Sequence, residues 1–205
     1  MLMFATGTGT KRNLSAMRAN GWGLLLTPDR PEFLSGFAAI AIDNGAWGAH
    51  QRGEEWTSDK FCTLVNKHGS YAHWVVAPDI VCGGLESLTR SVRWLPWLFD
   101  RCRRVLIAVQ DGMTDTDVLP LVNDNVGIFV GGSTEWKLES LPMWGMVAKS
   151  SGCYLHVGRV NSARRIRLCA MSGANSVDGT SGTRFSVTIP PLSAACAQAA
   201  LELYA

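Results

Sequence analysis

The feature that most restricts how this chain can fold is a regular alternation of short, apolar, β-like runs with longer helix-like segments. Eight such runs occur: MLMFAT (1–6), GLLL (23–26), AIAI (39–42), HWVVA (73–77), VLIAVQ (105–110), VGIFVG (126–131), YLHVG (154–158) and NSV (175–177). Helix-like segments lie between most of them. TSDKFCTLVNKHG (57–69) opens on capping residues and closes on glycine. LESLTRSVRWLPWLFDRC (85–102) is helix-like, with Pro96 placed to kink it. EWKLESLPMWGMVAKSSG (135–152) reads as a helix interrupted by Pro142. SARRIRLCAMSG (162–173) begins with serine and ends at Gly173, and a last helix covers SAACAQAALELYA (193–205).

Strands alternating with helices predict a parallel α/β protein. The count of eight fits a compact (β/α)8, TIM-like barrel, near the short end of that fold at 205 residues. A doubly wound open sheet is the alternative. No linker, low-complexity segment or charge block divides the chain, so residues 1–205 read as one domain.

Composition narrows the function classes. With 47% hydrophobic and 18% charged residues the chain is globular, not disordered. A net charge of +2 does not announce nucleic-acid binding, which would need a local basic patch. The six cysteines are dispersed without a C-x-x-C pair, which argues against a structural zinc site; no metal is expected. No signal peptide precedes the first β-like run, so the cysteines read as reduced, mostly buried thiols of a cytoplasmic protein. No apolar stretch approaches a membrane span. Core packing accounts for most of the eight tryptophans, leaving some aromatic surface for a ligand.

In a barrel, function gathers at the C-terminal ends of the strands. There the sequence offers Asp43-Asn44-Gly45-Ala46-Trp47 after the third run, Pro78-Asp79 after the fourth and Gln110-Asp111-Gly112 at the fifth. Gly131-Gly132 ends the sixth, His156 and Gly158-Arg159 the seventh, and Asp178 the eighth. Each has an ordinary structural explanation. Asp-Asn-Gly is a turn signal, Asp79 suits a helix cap, Gln110-Asp111-Gly112 suits another turn, and the glycine pair suits close packing. His156 reads equally as a packed strand-end histidine, and Arg164, Arg165 and Arg167 as a solvated helix face. Together, however, they set Asp43, Asp79 and Asp178, with a glutamine and a glycine pair, on one rim.

The stretch YLHVGRVNSARRIRLCAMSGANSVDGTSGTRF resembles the segment of the tRNA-guanine transglycosylase superfamily that runs from strand seven through its nucleophilic aspartate to a Thr-Arg pair. IDNGAW resembles that family's Asp-Ser-Gly-Gly-aromatic motif, AVQDG its Val-Gln-Gly-Gly, and GIFVGG its base-binding Gly-Gly loop, in the family's order across residues 39–185. DNGAWGAHQRGEEWTSDKFCTLVNKHG followed by WVVAPD is most similar to the DpdA-like DNA 7-deazaguanine transglycosylases of phages and bacteria. The tRNA enzymes carry a zinc subdomain after the nucleophile, with a C-x-C-x-x-C cluster and a histidine. Here only Cys196 and no histidine follows Asp178, which favours DNA over tRNA and leaves the oligomeric state open. Asn44 stands where the family has serine.

The resemblance implies an exchange of guanine in DNA for a 7-deazaguanine base such as preQ0, in service of DNA hypermodification. It implies a covalent aspartyl-glycosyl intermediate and no cofactor. Its partners are DNA and the free base, and its place is the cytoplasm, that of the bacterial host if a phage encodes it. Asp178 is the implied nucleophile at C1′ and Asp43 the second carboxylate handling protons, although the two roles are exchangeable. Asp79 suits the N1–H and N2–H₂ donors of guanine, and Gln110 with the Gly131-Gly132 loop suits O6 and N7. Trp47 and His156 align with residues that sandwich the base. Arg159, Arg164, Arg165, Arg167 and Arg184 are candidates for the nucleic-acid backbone, and a duplex would require base flipping. The same chemistry on RNA, a base-excising N-glycosidase and a catalytically silent nucleic-acid-binding barrel are the competing readings.

Overall fold

Each of the eight β-like runs forms a strand. The structure, a computed structural model, describes residues 1–30 and 32–202. The strands are β1 (Leu2–Thr6), β2 (Gly23–Leu26), β3 (Ile40–Ile42), β4 (Val75–Val76), β5 (Val105–Val109), β6 (Val126–Val130), β7 (Leu155–Val157) and β8 (Ser176–Asp178). All are parallel and close in sequence order into a barrel, with Phe4 of β1 in register with Gly23 of β2 on one side and Asp178 of β8 on the other. The chain is therefore a (β/α)8 barrel and not an open sheet.

The helices are α1 (Lys11–Ala19), α2 (Ala46–Arg52), α3 (Ser58–His68), α4 (Gly84–Phe99), α5 (Asp115–Val118), α6 (Thr134–Ser151), α7 (Ala163–Met171), α8 (Ser181–Arg184) and α9 (Ile189–Glu202). One difference from the sequence reading concerns proline. Helix α6 is not interrupted by Pro142; α4 carries Pro96 within its length, as the sequence places it. Both rings lie on exposed positions, so the carbonyls four residues earlier, which lose a donor, can turn to water. Helix α9 begins at Ile189, ahead of the expected start at 193, because Pro190 and Pro191 sit in a first turn that needs no amide donors. The expected residues 203–205 of that helix lie outside the described residues. Among the described residues no helix follows β2, where residues 27–30 and 32–39 are turns and irregular backbone instead. Among the described residues no helix is long and apolar enough to cross a membrane.

Alternation along each strand divides the core into two layers. Outward residues such as Leu24, Ile42, Val75, Ile107, Ile128 and Val157 pack against the helices. Inward residues Phe4, Leu25, Ala41, Trp74, Leu106, Ala108 and Phe129 fill the barrel. Small residues make room for the large ones. A Cβ on Gly23 would run into the Phe4 ring, and one on Gly158 would lie 2.8 Å from Phe129. Phe4, Trp74, Phe129 and His156 form an aromatic plug, with centroids 5.2 Å apart for Phe4–Trp74, 4.5 Å for Trp74–His156 and 4.8 Å for Phe129–His156. This plug floors the C-terminal mouth and keeps water out from below.

Candidate active site

Asp178 is the last residue of β8 and, like Ser176 two residues earlier, faces into the barrel. Its Oδ2 accepts from His156 Nε2 at 2.9 Å, and its Oδ1 accepts the Arg159 N–H at 3.2 Å. His156 is fully buried, and burial lowers its pKa although Asp178 pulls the other way. The imidazole is therefore neutral. Its Nδ1, 2.7 Å from Ser176 Oγ, accepts the serine proton, and Nε2 keeps the ring proton that it donates to Asp178. Ser176, His156 and Asp178 thus form one buried hydrogen-bonded row leading up to the mouth.

This geometry revises one expectation. His156 cannot sandwich a base, because its ring is enclosed by Trp74, Phe129 and Phe4 below Asp178. Its strand position points it inward, where it orients the carboxylate.

Asp43 follows β3. Its Oδ1 accepts the Gly45 N–H at 2.7 Å in a tight turn that Gly45 permits with φ +81°, so the turn reading of Asp-Asn-Gly holds as well. The other oxygen has no partner among the described residues. Burial pushes the Asp43 carboxyl up to about 7, and the charges of Asp178 and Asp79 add to the rise. Two acids therefore share the mouth in different settings, one gripped by two donors and one poised between its protonated and ionised forms.

Asp79 is the third acid. Asn44 Nδ2 donates to its Oδ1 at 2.9 Å and Gln110 Nε2 to its Oδ2 at 2.8 Å. Burial raises its pKa, partly offset by those hydrogen bonds. Each oxygen retains lone pairs for a ligand. Gln110 does not: its amide nitrogen is shared among Asp79, Ile80 O and Ser87 Oγ, and its Oε1 accepts the Gly83 N–H at 3.2 Å. The expectation that Gln110 reads O6 or N7 of a base therefore fails, since the protein itself occupies the amide; Gln110 holds Asp79 instead. Asn44 does the same from the other side and is braced by Ala77 O, the Ala46 N–H and Trp56 Nε1.

The glycine pair divides its labour. The Gly131 N–H is spent on Val109 O, whereas the Gly132 N–H has no acceptor among the described residues. Asp111, first read as a turn residue, clamps this loop by accepting from Ser133 N–H at 2.7 Å and Ser133 Oγ at 2.6 Å. A side chain at Gly132 would lie 2.5 Å from Asp111 Oδ2, which explains the glycine.

Trp47 lies in the first turn of α2 and is the one exposed tryptophan among the described residues. The Arg159 guanidinium lies 4.6 Å from its ring centroid and also donates to Gly132 O, so this side chain bridges opposite sides of the mouth. The remaining arginines separate. Arg164 and Arg167 are exposed on α7, Arg184 is exposed at the end of α8, and Arg165 turns into a pocket between α6 and α7. The structure thus brings Asp178, Asp43, Asp79, Gly132, Trp47 and Arg159 to one mouth and sets the other arginines around it. Ser176 was legible as the residue sharing a strand face with Asp178; Lys137, buried on α6, carried no sequence signal.

No family model matches this sequence, and no curated protein matches it.

Proposed function

We propose that the protein is a guanine transglycosylase that exchanges guanine in DNA for a 7-deazaguanine base. One observation carries this reading: a doubly hydrogen-bonded carboxylate, Asp178, shares the barrel mouth with a second carboxylate, Asp43, pushed up to about 7. Substitution at an anomeric carbon by covalent catalysis needs such a division between nucleophile and proton carrier.

In the proposed sequence an Asp178 oxygen attacks C1′ as the bond to the guanine nitrogen breaks. The bonding pair leaves with the base, and protonated Asp43 supplies its proton. The incoming 7-deazaguanine then gives a proton to ionised Asp43, its nitrogen attacks C1′, and Asp178 is expelled unchanged. A carboxylic acid near pH 7 serves both halves. The donor hydrogen bonds from His156 and Arg159 stabilise Asp178 as it leaves. Asp79, held by Asn44 and Gln110, accepts from the N1–H and N2–H₂ edge of the base, and the Gly132 N–H supplies a donor. Trp47 provides the stacking face once Arg159 moves aside.

The preference for DNA rests on the resemblance to the DNA enzymes; Arg164, Arg167 and Arg184 would meet the backbone. The test is incubation with single-stranded DNA, duplex DNA or RNA and a labelled guanine or preQ0. Label entering DNA is the expected result. Entry into RNA only would reassign the substrate, and free guanine without label uptake would make the protein a hydrolase.

A further inference from the structure

A narrow pocket opens between α6, β7 and α7, on the outer side of the strand that carries His156. Its polar lining is Thr134, Lys137, Arg159 and Arg165, and none of its lining residues is acidic. Lys137 is 5% exposed. Its Nζ donates to Gly158 O, which leaves two of its three N–H groups without an acceptor among the described residues. Arg165 uses its backbone N–H on the Ser162 cap, but its guanidinium makes no hydrogen bond or ion pair with a described residue. Arg159 spends its guanidinium on Gly132 O and Trp47. Two cations not fully spent elsewhere, Lys137 and Arg165, thus face one small space whose lining holds no acid, with Asp178 the acid that acts on Lys137, and buried charge of one sign is costly unless compensated.

We propose that this pocket is an oxyanion site for a phosphate group, held by Lys137 and Arg165 with the Thr134 hydroxyl as a neutral donor. A tetrahedral oxyanion presents acceptors in several directions at once, which suits donors arriving from two helices; a guanidinium pairs with such a group through two parallel bonds. Burial, with the like charges of Arg159 and Arg165, pushes Lys137 down to about 8, and an anion would reverse that. The ammonium grips Gly158 O, next to the Arg159 N–H that reaches Asp178. A bound phosphate would therefore fix the turn that holds the nucleophile. Its source is a nucleic-acid backbone or free phosphate; the first of these rests on the function proposed above, the pocket itself does not.

Calorimetric titration of the full chain with inorganic phosphate and with sulfate tests this. Saturable binding is expected, weakened tenfold or more by Arg165→Met and by Lys137→Met and unchanged by Arg93→Met on the exposed face of α4. Sulfate does not titrate near neutrality. Its affinity should fall as pH rises through about 8, where Lys137, faced by Arg159, Asp178, Arg165 and Cys169, loses its proton. That dependence should vanish in Lys137→Met, whose melting curve checks its fold. A short single-stranded DNA that competes with phosphate assigns the site to the backbone, and binding without competition assigns it to free phosphate. No saturable binding, or equal binding in both pocket variants, overturns the proposal. Phosphate binding without any base exchange would sink only the transglycosylase reading.

Discussion

The Arg159 N–H reaches Asp178 Oδ1 because Arg159 adopts a left-handed backbone, with φ +59°. A side chain in that region costs about 1–2 kcal/mol, and strain of this kind persists where the surroundings enforce it. Lys137 on Gly158 O and the Val160 N–H on Asp178 O, at 2.6 Å, are what enforce it here.

Two truncations isolate that strain. Arg159→Ala and Arg159→Gly both remove the guanidinium from Trp47 and Gly132, but only alanine keeps a Cβ at positive φ. Arg159→Gly should be the more stable of the two by about 1 kcal/mol in chemical denaturation. Equal stabilities would mean that the turn relaxes and the N–H is not held on Asp178.

His156 is predicted to act through Asp178 and not on the base. His156→Phe keeps a flat ring, somewhat larger, but leaves Asp178 Oδ2 without its partner, at a cost of about 1–3 kcal/mol. In the exchange assay kcat should fall about 10²-fold with the KM for the free base unchanged. A rise in KM alone would instead support a stacking role.

Asp43 makes a pH prediction with a definite sign. Its folded pKa, about 7, lies above the ordinary carboxylate value, so the folded state holds a proton that the unfolded state has lost. Stability therefore declines as pH rises from about 4 to about 7. Asp43→Asn, which can still accept from Gly45, should stabilise the fold by about 1–2 kcal/mol at pH 8 and by little at pH 4. It should also slow exchange about 10²-fold or more, since an amide cannot carry the proton, and leave the residual rate without a pH dependence near 7. A stability difference independent of pH would place the Asp43 pKa elsewhere.

The barrel interior gives a packing test. Gly23→Ala drives a methyl into the Phe4 ring and should cost about 1–3 kcal/mol. Phe4→Leu in the same chain should recover part of that loss, whereas two independent sites would simply add.

The strand ends were legible in the sequence because eight apolar runs are each followed by turn residues, which places Asp178, Asp43 and Asp79 at strand ends; that the sheet closes and sets them on one rim came from the structure. Helix α1 was not, since KRNLSAMRA is mostly polar and buries only Asn13, Leu14 and Met17. The role of His156 depends on which strand face points inward, which closure and register decide. Gln110 looked free in sequence but is consumed by Asp79, Ile80 and Ser87, partners 23 to 31 residues away. Lys137 resembles any helix lysine until α7 packs over it.

The nucleophile is the point on which the account turns. Protein quenched with acid during turnover on DNA, digested and analysed by mass spectrometry, should carry a deoxyribosyl adduct on the peptide containing Asp178, and Asp178→Asn should show neither adduct nor exchange. Continued exchange in Asp178→Asn, or turnover with the adduct on Asp43 instead, would contradict it.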